Sequence, residues 1–418
     1  DSGRIAYLLE NMGYQPTEEK NEADFILDNT CRVRENAELK VYGQIGTYKK
    51  WKEESPDKIL AISGCMMQTG PARDIIKEKY PQVDLVFGTR NIAKLPQLLA
   101  RHKETGERVF DIEAYEDDQL DYDRTSSSFA YVNISTGCNN FCSYCVVPYA
   151  RGRETSRSSE EIITEVEALA ARGYKEIMLL GQNVNSYGND GDEISFAELL
   201  RRVHEIDGIE RIRFMSSHPK DVPDELIDVI AESPKIERHF HLALQSGSNK
   251  VLKEMNRKYT REQFIVLAKK LRDRIPGIAL STDIIVGFPG ETEEDHQDTM
   301  DLCKEVKFDS AFTFIYSPRP DTRPAKREDQ IPEEVASRRF QELLDVIYPI
   351  FLESNQKDVG KKSRVLLETV SKNNDQMLSG RDAENKLVHV PGDASMIGEM
   401  VDVEIVSCNS FSLTAKRI

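Results

Sequence analysis

Residues 129–154 read FAYVNISTGCNNFCSYCVVPYARGRE, and three cysteines lie close together in this stretch. Cys138, Cys142 and Cys145 follow an apolar run with the spacing C-x3-C-x2-C. Three thiolates at such short spacing can hold three irons of a [4Fe–4S] cluster and leave the fourth iron open to a small molecule. A structural zinc site normally takes four protein ligands, and unrelated core cysteines rarely fall so close together. The spacing therefore favours an iron–sulfur cluster with one open iron.

Strand and helix patterns alternate six times over residues 129–355. Runs rich in apolar and β-branched residues predict strands that begin at Phe129, Glu176, Arg211, His239, Ala279 and Ser310. Amphipathic helices separate these strands. Six βα units are two short of a full barrel, so we predict a partial, open (β/α)6 barrel whose functional loops lie at the carboxyl ends of its strands. The cysteine loop follows the first strand and is therefore at that end.

A second α/β pattern occupies residues 1–102. Short apolar runs within ADFILDN, KILAISGC and VDLVFGTRN alternate with helical segments and predict a parallel, doubly wound sheet. The helix after the first run carries an apolar stripe that we expect to face this sheet: Val33, Ala37, Val41 and Ile45. Cys31 and Cys65 each come directly after a predicted strand, so the two thiols would lie at one edge of the sheet. Composition alone leaves an unremarkable pair of cysteines as an equal alternative.

The remaining segments differ in composition. Residues 103–128 are polar and acidic, which is typical of a linker. Residues 356–418 contain four short strand patterns separated by polar turns such as SKNNDQ and GRDAEN, which predicts a small antiparallel barrel of the OB-like type. This last segment has nine Lys or Arg and nine Asp or Glu residues, so it is neutral in a chain whose net charge is −16.

Bulk composition limits the class of protein. The 418 residues are 39% hydrophobic and 31% charged, which is typical of a globular protein of two or three domains. No apolar run is long enough to span a bilayer. Seven cysteines, three of them in one loop, indicate a reducing compartment and metal or redox use. The acidic net charge argues moderately against nucleic-acid binding. The chain starts at Asp1 within a helical pattern, so we expect further residues upstream.

The motifs DNTCRVRENAELK, SGCMMQ, CNNFCSYCVVPYARGRE and LLGQNVNSYG resemble those of radical S-adenosylmethionine (SAM) methylthiotransferases. This resemblance covers nearly the whole chain and implies an auxiliary-cluster domain, a radical-SAM core and a C-terminal TRAM-like RNA-binding domain. It implies SAM and two [4Fe–4S] clusters as cofactors. Cys138, Cys142 and Cys145 would ligate the radical-SAM cluster. Cys31 and Cys65 would ligate the auxiliary cluster, with a third cysteine expected upstream.

The motifs are most similar to those of members that act on tRNA. The resemblance therefore implies methylthiolation of carbon 2 of isopentenyl-adenosine next to the anticodon, with two SAM molecules consumed. Sister enzymes that act on threonylcarbamoyl-adenosine or on an aspartate of a ribosomal protein are the alternatives, and a zinc or iron–sulfur protein that only binds RNA is a further one. We expect tRNA and a low-potential electron donor such as a flavodoxin or ferredoxin as partners. A cytoplasmic monomer without membrane contact is also expected.

Polar residues at the ends of other strands are candidates for binding SAM: Gly181, Gln182, Asn183, Gln245, Ser246 and Asp283. Their position at the carboxyl ends of barrel strands favours this role, and a solvated polar loop is the alternative for GQN. Asp283 lies within an apolar run, so it needs a partner, which could be a ligand or a structural Arg.

Basic and aromatic residues near the cluster are candidates for binding RNA: Arg151, Arg153, Arg157, Tyr316 and Arg319. Ion pairs with neighbouring carboxylates such as Glu154 are an equally good explanation of the three arginines in 151–157. We expect His239 and His241 to have core or rim roles, and Cys303 and Cys408 to be structural.

Overall fold

The computed structural model describes residues 1–31, 35–113, 129–191 and 193–418, and only the backbone of 35–39. The described chain divides into two compact units. The first contains residues 1–113 with 137–139 and 145–153, and the second contains 129–136, 140–144 and 154–418. Most of the predicted linker, from 114 onward, lies outside the described residues.

The first unit is an α/β domain. Its elements are α1 (Ser2–Asn11), β1 (Phe25–Thr30), α2 (Glu35–Glu54), β2 (Ile59–Gly64), a 3₁₀ turn (Cys65–Gln68), α3 (Gly70–Lys79), β3 (Leu85–Phe87), a second 3₁₀ turn (Ile92–Lys94), α4 (Leu95–Thr105) and β4 (Val109–Asp111). The strands are parallel and lie in the order β1-β2-β3-β4.

Helices cover both faces of this sheet, as predicted for a doubly wound domain. On one face, α2 and α3 bury Ile45, Trp51 and Ile76, and on the other α1 and α4 bury Leu8 and Leu98. In the predicted stripe, Ile45 is buried and Val41 packs beside it. The side chains of Val33 and Ala37 lie outside the described residues.

The predicted linker boundary at 103 is wrong. The last helix of the first unit continues to Thr105, and β4 then extends the sheet by pairing Val109 with Leu85. Three residues are too few for a strand pattern to be recognised in the sequence, although burial of Val109 makes the pairing favourable.

The second unit begins with the predicted barrel. Its elements are β5 (Phe129–Asn133), β6 (Ser135–Thr136), β7 (Thr155–Ser156), α6 (Ser159–Ala171), β8 (Glu176–Leu180), α7 (Phe196–His204), β9 (Arg211–Phe214), α8 (Asp224–Glu232), β10 (His239–His241), α9 (Asn249–Glu254), α10 (Arg261–Arg274), β11 (Ala279–Val286), α11 (Glu293–Val306), β12 (Ser310–Ile315) and α12 (Glu333–Gln356). One short helix of this stretch, α5 (Val147–Arg151), is grouped with the first unit.

Six parallel strands form the open barrel. Two three-stranded sheets, β5-β8-β9 and β10-β11-β12, are joined by a parallel bridge between Ser217 and Leu242. The outward side chains, among them Val132, Leu179 and Ile212, form one large core with the surrounding helices. The alternate residues face the concave side, where Tyr131, Met178 and Arg213 are register neighbours. The predicted partial (β/α)6 barrel is therefore confirmed.

The C-terminal segment is a closed five-stranded barrel. Its strands are β13 (Lys362–Ser371), β14 (Asn374–Arg381), β15 (Leu387–Pro391), β16 (Met400–Cys408) and β17 (Leu413–Arg417), in the order β13-β14-β15-β17-β16. The sequence predicted four strands and placed part of β14 in a polar turn. This strand is mostly polar, and Gly380 lies where a Cβ would be 2.0 Å from the Leu366 carbonyl oxygen.

The small barrel is attached to the amino-terminal end of the large barrel through β13, β14 and the turn after β14, residues 382–386. Arg211 at the start of β9 donates to the carbonyl oxygens of Arg381 (2.9 Å) and Arg364 (2.8 Å). The backbone N–H of Arg238 donates to the carbonyl oxygen of Ala383 over 2.8 Å. These bonds close the end of the barrel opposite the functional loops. None of the described helices is both long and apolar enough to cross a membrane.

Candidate functional site

The first part of the cysteine loop is shaped by a close backbone approach. Gly137 has a φ of +82°, and a Cβ there would lie 2.1 Å from the carbonyl oxygen of Arg153. Only glycine fits this conformation and this space. The next residue, Cys138, donates its N–H to the Gly152 carbonyl over 3.3 Å. At the other end of the loop, the Sγ atom of Cys145 accepts the N–H of Val147 over 3.5 Å.

In the second unit, the segment after α9 holds the middle of the loop. The backbone N–H of Ser143 donates to the Met255 carbonyl over 2.9 Å, and the Asn256 amide donates to the Phe141 carbonyl over 2.8 Å. Phe141 has a φ of +49°, an unfavourable conformation for a bulky residue. The contacts from 255–256 hold it in place.

A buried guanidinium supports the second cysteine. Arg257 Nη1 lies 3.3 Å from the Sγ atom of Cys142, while its other nitrogens bond to the Ala243 carbonyl and the Tyr259 hydroxyl. Burial opposes the charge on Arg257, but the neighbouring Tyr259, Tyr144 and Cys142 outweigh it and raise the pKa of the guanidinium. Arg257 thus places a buried cation beside the Cys142 sulfur.

All three thiols of the loop are half-buried, and none of the seven cysteines forms a disulfide. In the part of the chain that the structure describes, no three His, Cys, Asp or Glu side chains converge as they would around one ion. A four-iron cluster takes one thiolate per iron, so its ligands stand further apart than those of zinc.

In the first unit, parallel pairing brings Cys31 and Cys65 to the same edge of the sheet. The last residues of their strands, Thr30 and Gly64, are register partners. A Cβ on Gly64, at a φ of +105°, would lie 2.1 Å from the Thr30 carbonyl oxygen, so the strands approach closely just before the cysteines. Cys31 is exposed and Cys65 half-buried. The predicted convergence of the two strand ends is therefore present.

The loop after β8 is packed by its neighbours. A Cβ on Gly181 would lie 2.5 Å from Ser135 Oγ. The buried Asn183 side chain donates to Asp221 (2.9 Å) and accepts the N–H of His218 (3.0 Å). The Asn183 side chain therefore links the loop after β8 to the loop after β9. Gln182, which lies between Gly181 and Asn183 in the sequence, is half-buried.

Of the three candidates after β10 and on β11, two face the concave side. Gln245, with a φ of +72°, places its amide 3.5 Å from Asp283 Oδ2, and His241 Nε2 lies 3.3 Å from the same oxygen. The partner of Asp283 is thus a histidine and not the arginine considered from the sequence. Ser246 is buried beside Thr299 of α11, 3.4 Å away, and accepts the N–H of Ser248. Its hydroxyl therefore has two partners within the protein.

Comparison with known proteins assigns the three parts of the chain. Residues 132–303 match the Radical SAM superfamily, residues 1–88 match the uncharacterized protein family UPF0004, and residues 356–418 match the TRAM domain. A tRNA-2-methylthio-N(6)-dimethylallyladenosine synthase from Finegoldia magna is 53% identical over 421 residues, covering 100% of this chain and 91% of that protein. The enzyme of that name from Alkaliphilus oremlandii is 53% identical over 424 residues, covering 100% and 90%.

The chain belongs to the tRNA-2-methylthio-N(6)-dimethylallyladenosine synthase family. As a radical-SAM protein of this family it uses SAM and [4Fe–4S] clusters. Among solved structures, the radical SAM methyltransferase TsrM from Kitasatospora setae superposes with a TM-score of 0.52 at 17% identity, covering 74% of this chain and 64% of that one. The cobalamin-dependent enzyme OxsB superposes with a TM-score of 0.51 at 14% identity, covering 83% and 51%. These two likenesses show a shared fold.

In this member of the synthase family, the arginines after the cluster loop differ in their partners. Arg151 Nε lies 3.2 Å from Cys65 Sγ, and its Nη2 lies 3.0 Å from a carboxylate oxygen of Asp1. Arg157 pairs with Glu161 and Glu165 of α6. The ion-pair explanation is therefore right for Arg157, with different carboxylates from the one suggested. Arg153 is exposed.

The two candidates after β12 are enclosed by their surroundings. The Tyr316 ring packs edge-on against Phe288 at 5.4 Å, and burial raises the pKa of its hydroxyl. Arg319 is 7% exposed, and its carbonyl oxygen accepts two bonds from Thr322. Tyr316 is half-buried and Arg319 is buried in the segment after β12.

Sequence reasoning missed the residues that hold the loop and line the barrel. Arg257 and Asn256 lie more than a hundred residues from their partners, at separations of 115 residues each from Cys142 and Phe141. Their only sequence signal is their position after the fourth barrel strand. His239 and His241 alternate on β10, which correctly placed them on one face, but their partner Ser281 could not be inferred.

Proposed function

We propose that this protein transfers a methylthio group to carbon 2 of N6-dimethylallyl-adenosine in tRNA. The observation that carries the proposal is the cysteine loop, set at the functional end of a radical-SAM barrel in a chain that matches named tRNA methylthio synthases over its full length. The names of these relatives favour this substrate over threonylcarbamoyl-adenosine and over a ribosomal-protein aspartate.

Cys138, Cys142 and Cys145 would hold the radical-SAM cluster, and Arg257 contacts the sulfur of Cys142. When bound, the cluster and SAM supply a 5′-deoxyadenosyl radical that can remove hydrogen from an unactivated C–H bond. A base cannot remove that hydrogen as a proton at a useful rate. The residues after α9 hold the part of the loop that carries Cys142, through the bonds to Ser143 and Phe141.

Cys31 and Cys65 would be ligands of the auxiliary cluster, which would supply the sulfur when bound. Arg151 supports this assignment because its guanidinium contacts the Cys65 sulfur over 3.2 Å.

The concave side of the barrel would bind SAM and the target base. Gly181, Gln182, Gln245 and Asp283 are the proposed contacts, and Asn183 positions the loop that carries the first two. Arg153 and the neutral TRAM barrel would contact the RNA backbone, where cations add affinity without sequence preference. A low-potential flavodoxin or ferredoxin would supply electrons to a cytoplasmic monomer.

The test uses full-length protein purified and reconstituted without oxygen. We expect about eight irons per chain, as for two four-iron clusters. With dithionite, SAM and tRNA carrying isopentenyl-adenosine, the wild type should release 5′-deoxyadenosine and form the methylthio nucleoside, measured by mass spectrometry. Cys138→Ala should abolish both products. Cys65→Ala and Cys31→Ala should retain some 5′-deoxyadenosine and lose the methylthio nucleoside.

Cys303→Ala is the matched control, because Cys303 is a buried cysteine of α11 outside both groups. It should retain both products. Zinc in place of iron, or full methylthiolation by Cys31→Ala, would reject the assignment. Product formation only on threonylcarbamoyl-adenosine or on a ribosomal protein would reject the substrate.

A further inference from the structure

Four side chains on the concave side of β10 and β11 form one hydrogen-bonded row. His239 Nε2 lies 2.7 Å from Ser281 Oγ, and the same Oγ lies 2.9 Å from His241 Nδ1. His241 Nε2 lies 3.3 Å from Asp283 Oδ2. The row starts near the amino-terminal end of the barrel and leads to the carboxyl end of β11, where the functional loops lie.

One set of donors and acceptors gives these bonds a common direction. A carboxylate only accepts, so the Nε2 atom of His241 must carry a hydrogen. We assign its Nδ1 atom as the acceptor of the Ser281 hydroxyl. The serine oxygen is left to accept the Nε2–H of His239. Burial, with smaller effects from His241 and Arg213, lowers the pKa of His239 to about 3, so this ring is neutral as the row requires.

All three bonds therefore point toward Asp283. Aligned hydrogen bonds polarise one another in a poorly solvated interior, so the row stabilises negative charge on Oδ2 and fixes the orientation of the carboxylate. The side chains of His241 and Asp283 are 5% and 29% exposed. The row thus runs from a closed interior to a carboxylate that a ligand can reach.

Phe312 lies beside this carboxylate and offers a flat apolar surface. It is the register neighbour of Asp283 on β12, its ring centroid lies 6.1 Å from that of His241, and it is 47% exposed. An exposed aromatic ring next to a fixed hydrogen-bond acceptor suits a purine, because the base can stack while an N–H or O–H group of the nucleoside donates.

We infer that His241 is a positioning residue. Through this row of hydrogen bonds it holds the Asp283 carboxylate in place, and that carboxylate accepts a hydrogen bond from a nucleoside bound on the concave side. The inference rests on the proposed function. The shared chemistry is a nucleoside N–H or O–H, which belongs either to the adenosine of SAM or to the target base of tRNA, and two separate binding measurements distinguish these sources.

The decisive experiment is a double-mutant cycle with His241→Phe and Asp283→Asn in the reconstituted full-length protein. Affinity for SAM and kcat/KM for tRNA are measured separately. Loss of a hydrogen bond to a charged group corresponds to about a tenfold change, so each single variant should weaken one of the two by about that factor. Since His241 acts through Asp283, the double variant should be no weaker than Asp283→Asn alone. A tenfold loss in SAM affinity assigns the contact to the cofactor, and a loss confined to tRNA assigns it to the target base.

His296→Phe is the control, because His296 is a buried histidine of α11 outside the row. It should leave both affinities within twofold of the wild type. Independent, additive losses in the cycle, or equal losses in the control, would overturn the inference.

Spectra of ¹⁵N-labelled histidine give a second readout. His239 and His241 should both appear as Nε2–H tautomers, and an Nδ1–H or doubly protonated ring would also overturn the inference. If the wild type binds SAM but makes no methylthio nucleoside, the proposed function fails while the cycle still tests the row.

Discussion

Replacing Gly137 by alanine should empty the radical-SAM cluster site while the fold survives. The added Cβ would lie 2.1 Å from the Arg153 carbonyl oxygen, and it must retreat by about 1 Å to reach a tolerable contact. That oxygen belongs to the backbone and cannot rotate away. The adjacent Cys138 is tied to Gly152 by its own N–H, so the strain displaces this thiolate. An iron–sulfur bond does not stretch by such a distance.

The control for this change is Gly173→Ala. Gly173 has a φ of +89°, close to the +82° of Gly137, but a Cβ there meets nothing within 4 Å. Both variants bear the left-handed backbone cost of about 1–2 kcal/mol, and only Gly137→Ala bears the collision.

The assay is iron content of the anaerobically reconstituted full-length protein, with thermal unfolding as the check on folding. We expect Gly137→Ala to lose about half of its iron, that is about four atoms per chain, and to release no 5′-deoxyadenosine. Gly173→Ala should match the wild type in both. Full iron in Gly137→Ala, or an equal loss in Gly173→Ala, would refute the reasoning.

Two further changes test the charges around the barrel. Burial chiefly raises the pKa of Glu237 from 4.5 to about 8, so the folded state keeps a proton that the unfolded chain releases. The free energy of unfolding, measured in urea, should therefore fall as pH rises from about 4.5 to 8, by up to about 1.4 kcal/mol per pH unit. Glu237→Gln should flatten this slope. The exposed control Glu167→Gln should keep the wild-type slope, and an unchanged slope in Glu237→Gln would contradict the assignment. Arg257→Met removes a cation 3.3 Å from Cys142, so the reduction potential of the cluster should become more negative in an EPR-monitored redox titration. The control is Arg272→Met, because the Arg272 guanidinium bonds to the Lys307 carbonyl oxygen; this variant should leave the potential unchanged. Equal potentials in wild type and Arg257→Met would contradict the proposed contact.

The parts of this protein that could be predicted from sequence are those set by local patterns. Each barrel strand is a short apolar run followed by an amphipathic helix, and the cysteine loop is a fixed spacing after the first of these runs. Parallel strands share a carboxyl edge, which was enough to place Cys31 and Cys65 at equivalent positions. Neither inference required contacts between distant parts of the chain.

The parts that could not be predicted depend on such contacts. Arg257 and Cys142 are 115 residues apart, and Arg151 and Cys65 are 86 apart, so nothing in either neighbourhood reveals the pair. Strand β14 could not be predicted from the sequence for another reason. In a small closed barrel, a strand can be largely polar and still be held by its two neighbours, so apolar alternation is a weak guide there.

The joint between the two barrels of the second unit relies partly on acceptors that mutation cannot remove. Arg211 and the N–H of Arg238 bond to peptide oxygens of the C-terminal domain, and every amino acid supplies such an oxygen. Side chains of that domain add to the joint, since Arg213 Nη1 lies 3.1 Å from Asn385 Oδ1 and Arg364 Nη2 lies 2.7 Å from a carboxylate oxygen of Glu210. Exchange of this domain between related enzymes should therefore succeed where the recipient keeps Arg211 and the incoming domain keeps Asn385 and Arg364.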